Sequence, residues 1–428
     1  MRNWERCLYF MLYAVLLSWA VIPVQSSTLN PIVAPTTPMT IQIGMLLPLT
    51  GTQSETGTTA QATLEVAIED FQRAFPTVTI DAKIADTGSD PDTALAQLQN
   101  LAASGIRIFI GPFSSAEVLA VKPYVDQNRI VLISPTATAT SLAVADTIFR
   151  ISLDDAKQSI ALATLIVKRN VTTIVPIVRN DLYGTDFIAA FTAQFQTVGG
   201  TTVSPIFYDP ATADYQSVIA QAKTSVESIL QNNAGASIGV LAIAFDEIVN
   251  IFTAASTDTT LSSLPWFGTD STAQSAKIAS DAVASAFAEK IQFTASISSD
   301  YNVVSYPYLP FTPINETLIT KVLAKTPTLK STKVAPTYDA LWIAGMACFD
   351  PDASLEEEVV RISKESVGYM GSIYFGETGD RGYGWFAFYR FMNQKWVLNA
   401  AYVFTEFSTI PQPLTEYLFE FSTNDKVI

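Results

Sequence analysis

From Thr40 onward, short runs of apolar, mostly β-branched residues alternate with longer stretches whose apolar positions recur every three to four residues. The first kind reads as buried strands and the second as amphipathic helices. By this reading residues 41–49 form a strand and residues 58–75 a helix, with Ala60, Leu64, Ala67, Ile68, Phe71 and Phe75 on one face. Further strands are expected at 78–85, 106–110 and 130–134, separated by helices at 92–103 and 115–127. Strands alternating with helices across short connections imply a parallel sheet covered on both faces.

A second series opens at Asp154-Asp155, which favours the start of a helix over 156–169. Strands at 172–178, 202–208, 238–245 and 266–268 alternate with helices at 187–198, 215–230 and 249–255. Beyond these, the pattern predicts a strand at 291–297, a helix at 338–348, and a β-rich close in the aromatic runs 385–391 and 396–404. The expected fold class is α/β, with two doubly wound, Rossmann-like lobes; at 428 residues the chain also exceeds the size at which a single core keeps growing.

Two loops stand out against this pattern. Gly111-Pro112-Phe113-Ser114-Ser115 and Ser134-Pro135-Thr136-Ala137-Thr138 each follow an apolar strand and end in hydroxyl residues, one strand-helix unit apart. Loops leaving neighbouring parallel strands gather at the carboxyl edge of the sheet. There, hydroxyls and backbone N–H groups converge on one small polar guest. The simpler reading of Ser115 and Thr138 is that they cap the helices that follow, and the two roles are compatible.

Outside the repeating pattern, Arg2 and Arg6 precede an apolar run over 8–24 and then Gln25-Ser26-Ser27, as in a cleaved export signal over 1–26. The same run approaches the length of a membrane anchor, and Pro23 with the polar stretch after it favours cleavage. Residues 27–40, rich in Pro, Thr and Ser, read as a flexible leader. A periplasmic or extracellular location follows from that reading.

The net charge of −15, with basic residues scattered singly, argues against nucleic acid as a partner. Cys7 falls in the expected signal and Cys348 stands alone in an apolar run, so the cleaved chain has no internal disulfide to form. There is no histidine, which excludes Ser-His and Cys-His nucleophilic catalysis and removes the commonest transition-metal ligand. No cofactor or metal is expected.

The order of motifs resembles the type I periplasmic binding proteins of the branched-chain amino acid (leucine/isoleucine/valine) class, related to the ligand-binding regions of several receptors. The matching pieces are Ile43-Gly44-Met45-Leu46-Leu47-Pro48-Leu49-Thr50-Gly51, Asp86-Thr87-Gly88-Ser89-Asp90-Pro91, the two hydroxyl loops, Tyr183-Gly184-Thr185-Asp186-Phe187, Phe267-Gly268-Thr269-Asp270, Tyr338-Asp339-Ala340-Leu341 and Phe375-Gly376-Glu377-Thr378-Gly379-Asp380-Arg381. They cover most of 40–404, and their order carries the likeness. The resemblance implies two lobes joined by three crossings, near 153–156, 291–297 and 370–376. Lobe 1 would comprise 40–153 and 298–371, lobe 2 154–297 and 372–405, and 406–428 a C-terminal extension.

The resemblance also implies that the ligand lies between the lobes. Ser115, Thr136 and Thr138 would hold its carboxylate, Asp270 would pair with an α-ammonium, and Tyr183 and Phe245 would line the second lobe. Thr56 stands where branched-chain binders often carry an aromatic, and Phe245 where they carry a tyrosine, so a leucine-sized guest is not implied. The expected function is capture of a small zwitterion, an amino acid or related amide, for delivery to the membrane permease of an ABC-type importer. A sensory ligand-binding module and a carboxylate-based enzyme are the alternatives from other classes. Asp86-Thr87-Gly88 alone does not make an aspartic protease, which needs a second such carboxylate. No G-x-S-x-G motif, P-loop or strand-following G-x-G-x-x-G occurs.

Overall fold

The computed structural model describes residues 32–211, 215–299, 313–326, 329–365, 367–382, 384–404 and 417–420. The expected signal, the start of the leader and most of the C-terminal extension lie outside the described residues. The first series comprises β1 (Met39–Leu47), α1 (Ser54–Ala74), β2 (Val78–Asp86), α2 (Pro91–Ala103), β3 (Ile108–Ile110), α3 (Ser115–Asn128), β4 (Val131–Ser134) and β5 (Ile148–Arg150). Its strands form a parallel sheet in the order β2-β1-β3-β4-β5. Strands β3 and β4 are buried along their whole length, as a sheet with helices on both faces requires.

The second series comprises α4 (Asp155–Lys168), β6 (Thr173–Arg179), α5 (Leu182–Thr197), β7 (Thr201–Thr202), β8 (Ile206–Tyr208), α6 (Gln216–Asn232), β9 (Ile238–Ile243), α7 (Ile248–Ala255), β10 (Trp266–Gly268), α8 (Ala276–Ser280), α9 (Ala282–Lys290) and β11 (Thr294–Ser299). Helices α10 (Pro313–Leu323), α11 (Val334–Ala347) and α12 (Leu355–Glu365) follow, with α10 and α11 packed on α1 of the first lobe. A short hairpin of β12 (Val367–Gly368) and β13 (Gly371–Ser372) leads to β14 (Gly384–Met392), β15 (Lys395–Phe404) and β16 (Tyr417–Glu420). The second sheet runs β16-β15-β14-β11-β10-β9-β6-β7, with β8 also on β6. Strands β14, β15 and β16 join it antiparallel.

Several elements differ from the sequence pattern for local reasons. The strand expected over 202–208 is two strands, because Pro205 between them has no N–H to give the ladder. Helix α5 begins five residues early, since the Asp181 side chain accepts from Gly184 N at 3.0 Å and caps it. The strand expected over 291–297 is β11, shifted to Thr294–Ser299 in the second sheet. Tyr417–Glu420, in the segment expected to extend beyond the fold, is the edge strand on β15.

Two buried arginines tie the end of β5 to the segment 370–381. Arg150 Nε donates to Asp380 at 2.5 Å and its Nη1 to the Ala139 carbonyl at 2.8 Å. Backbone bonds run from Arg150 N to Gly379 O and from Arg381 N to Arg150 O. Arg381 Nη2 reaches the Met370 carbonyl at 2.7 Å. Such pairs hold only while both partners stay in place, because an unpaired buried charge is costly.

Candidate ligand-binding cleft

The loop after β3 bends at Gly111, whose φ of +85° suits glycine; a Cβ there would meet the Leu46 carbonyl oxygen at 2.2 Å. Helix α3 then starts under a capping box. Ser114 Oγ accepts from Glu117 N, and the Glu117 carboxylate accepts from Ser114 N at 3.1 Å and Ser114 Oγ at 2.6 Å. The capping role anticipated for Ser115 therefore falls to Ser114. Ser115 Oγ instead accepts from Thr138 N at 3.2 Å and Ala139 N at 3.1 Å, which ties the two hydroxyl loops together. With its lone pairs so engaged, the Ser115 hydroxyl keeps its own proton to donate. Thr136 Oγ1 donates to the Phe113 carbonyl at 2.7 Å, so its hydroxyl braces the same junction.

Thr138 caps no helix: its carbonyl accepts from Asp155 N at the start of α4. Asp155 is fully buried behind it. Burial, reinforced by the charge of Asp270, pushes the Asp155 carboxyl well above the usual carboxylate range, while the Thr138 side chain pulls the other way.

From the second lobe, the turn after β10 presents Asp270 and Ser271. Tyr183, in the first turn of α5, donates from its hydroxyl to Thr269 Oγ1 at 2.7 Å and to Asp270 Oδ1 at 3.2 Å, and lies 3.1 Å from Ser271 Oγ. Burial and the Asp270 charge raise the Tyr183 phenol well above its ordinary value, so it stays a donor. Phe245 is held between the Tyr183 ring, stacked at 5.3 Å, and the Arg179 guanidinium, 3.6 Å from its centroid.

Ser115, Thr136 and Thr138 from the first lobe and Tyr183, Phe245 and Asp270 from the second line one cavity. Gln53, Thr56, Phe113 and Ser271 line it too, and so do two residues the pattern did not single out, Lys330 and Lys333. Lys333 Nζ lies 3.2 Å from Asp270 Oδ2, with both side chains 7% exposed. Lys330, 2% exposed, lies 3.6 Å from Asp246, which also binds Lys277 at 2.7 Å. Lys333 is the N-cap residue of α11, where the helix dipole disfavours a cation. A lysine just before an apolar helix was thus the available sign of a facing carboxylate. The space enclosed between these side chains is narrow.

A family model described as "Periplasmic binding protein" matches residues 40–347. The chain belongs to that family. This periplasmic binding protein is 27% identical over 265 residues, 59% of its length, to an uncharacterised protein of Methanocaldococcus jannaschii. The chain spans from about half to just over three-fifths of the curated relatives it matches.

Among solved structures, the leucine binding protein LivK of Thermotoga maritima superposes with a TM-score of 0.70 at 16% identity. That match covers 84% of this chain and 98% of that one. A solute binding protein of an ABC transporter from R. palustris, in complex with benzoate, gives a TM-score of 0.71 at 16% identity over 84% and 95% of the two chains. These likenesses fix the two-lobed fold. The family is one of solute-binding proteins rather than enzymes, so the carboxylate-enzyme alternative is set aside.

Proposed function

We propose that the chain captures a small carboxylate-bearing metabolite between its lobes outside the cytoplasm and presents it to the permease of an ABC-type importer. The observation that carries this reading is the convergence of both hydroxyl loops and the Tyr183-Asp270-Ser271 cluster on one cavity between two hinged sheets. Hydrogen bonds to a charged group are worth about 1.5–3 kcal/mol each, so a few convergent donors suffice to hold an anion. The cavity is narrow as it stands, walled by side chains of both lobes. Uptake therefore requires rotation of the lobes about the crossings, followed by closure.

The solved relatives include structures named for leucine and for benzoate, so the choice of guest rests on the side chains of this cleft. Native mass spectrometry of the purified protein, followed by calorimetry with a panel of small carboxylates, tests the reading. Ser115→Ala removes the free donor and loosens both loops, and is expected to weaken binding of the preferred carboxylate at least tenfold. Unchanged affinity would remove Ser115 from the site, and absence of binding across the panel would overturn carboxylate capture.

A further inference from the structure

Among the described residues, Asp270 is the one carboxylate lining the cavity, and hence the group a ligand cation would have to meet. It already faces a cation of the chain itself, Lys333, at 3.2 Å and almost out of solvent. Lys330 adds a second buried ammonium to the same wall. Outside the cavity, Asp246 balances Lys330 but is shared with Lys277. Asp155 stands behind Thr138 and does not line the space.

Among the described residues, the lining thus holds two lysines against one carboxylate. A monoanion completes the balance in a place where each uncompensated charge is heavily disfavoured. A zwitterion would bring its ammonium to a carboxylate already paired and leave one positive charge over. Resting on the carboxylate-capture reading above, we propose that Lys333 is a built-in counter-ion of Asp270 that stands in for a ligand ammonium, so that the cleft selects monocarboxylates without an amino group over the corresponding amino acids.

The test is a set of matched pairs measured by calorimetry: leucine against 4-methyl-2-oxopentanoate, and phenylalanine against 3-phenylpropanoate. The amine-free member of at least one pair is expected to bind at least tenfold more tightly. Lys333→Met, which frees Asp270, is expected to shift that ratio at least tenfold toward the amino acid, and Lys333→Arg to preserve it. A merely structural lysine would weaken both members alike. Should Lys333→Met fail to fold, as judged by its melting curve, the double change Lys333→Met with Asp270→Asn removes both charges. It is expected to abolish discrimination within the pair.

Equal affinity of the wild type for both members, or a ratio unmoved by Lys333→Met or by the double change, overturns the proposal while leaving carboxylate capture intact. Failure of every carboxylate in both series to bind overturns capture itself and the proposal with it.

Discussion

Asp155 shows how one residue couples the cleft to pH. Its native carboxyl is held well above the ordinary value of 3.8 by burial and by the neighbouring Asp270 charge. From near that ordinary value up to the raised native one, the folded chain keeps a proton that the unfolded chain has lost. Stability contributed by the group is therefore fully present below about pH 4 and falls as pH rises toward the raised native value. Buried Glu117 acts in the same direction. Asp155→Asn keeps the shape without the proton, so urea unfolding at pH 5 and pH 8 should show a shallower pH slope than the wild type. An identical slope would mean that Asp155 does not titrate in this window. Cys348, whose thiol burial raises to about 12, is no nucleophile at neutral pH.

At the scale of elements, the cleft depends on where helices begin. The Ser114 box fixes the first turn of α3, and with it the direction in which Ser115 points. Ser114→Ala removes an N-cap and strips a buried carboxylate of its hydroxyl partner, and is expected to cost about 2 kcal/mol in urea unfolding. A loss under about 0.5 kcal/mol would show the box to be dispensable. The alternation of strands and helices was legible because each run repeats at its own period. Helices α9 and α12 were not legible. Residues 355–365 carry three successive glutamates and few apolar side chains over barely three turns, and their burial depends on α11 beneath them. The split of β7 from β8 could be read from Pro205 alone, since the missing N–H is a property of the residue.

For the whole molecule, polar contacts join the two lobes. Glu55, at the start of α1, accepts from Ser275 Oγ at 3.0 Å and Ala276 N at 2.7 Å. On another side of the cleft, Asp186 of α5 accepts from Ser141 N at 2.9 Å. Glu55→Ala with Asp186→Ala should therefore favour the open form. Small-angle scattering should give a larger radius of gyration, and release of a bound carboxylate should be about tenfold faster; an unchanged radius and release rate would place the latch elsewhere.

The sequence by itself determined the strand-helix alternation, the two hydroxyl loops and the absence of histidine chemistry, because periodicity and residue type are local properties. Only the tertiary structure decided that Lys333, about sixty residues beyond Asp270 along the chain, pairs with it in the cleft, and that Lys330 joins the same lining. Counter-charges meet through folding rather than through spacing, and burial sets their strength only after the lobes have closed around them.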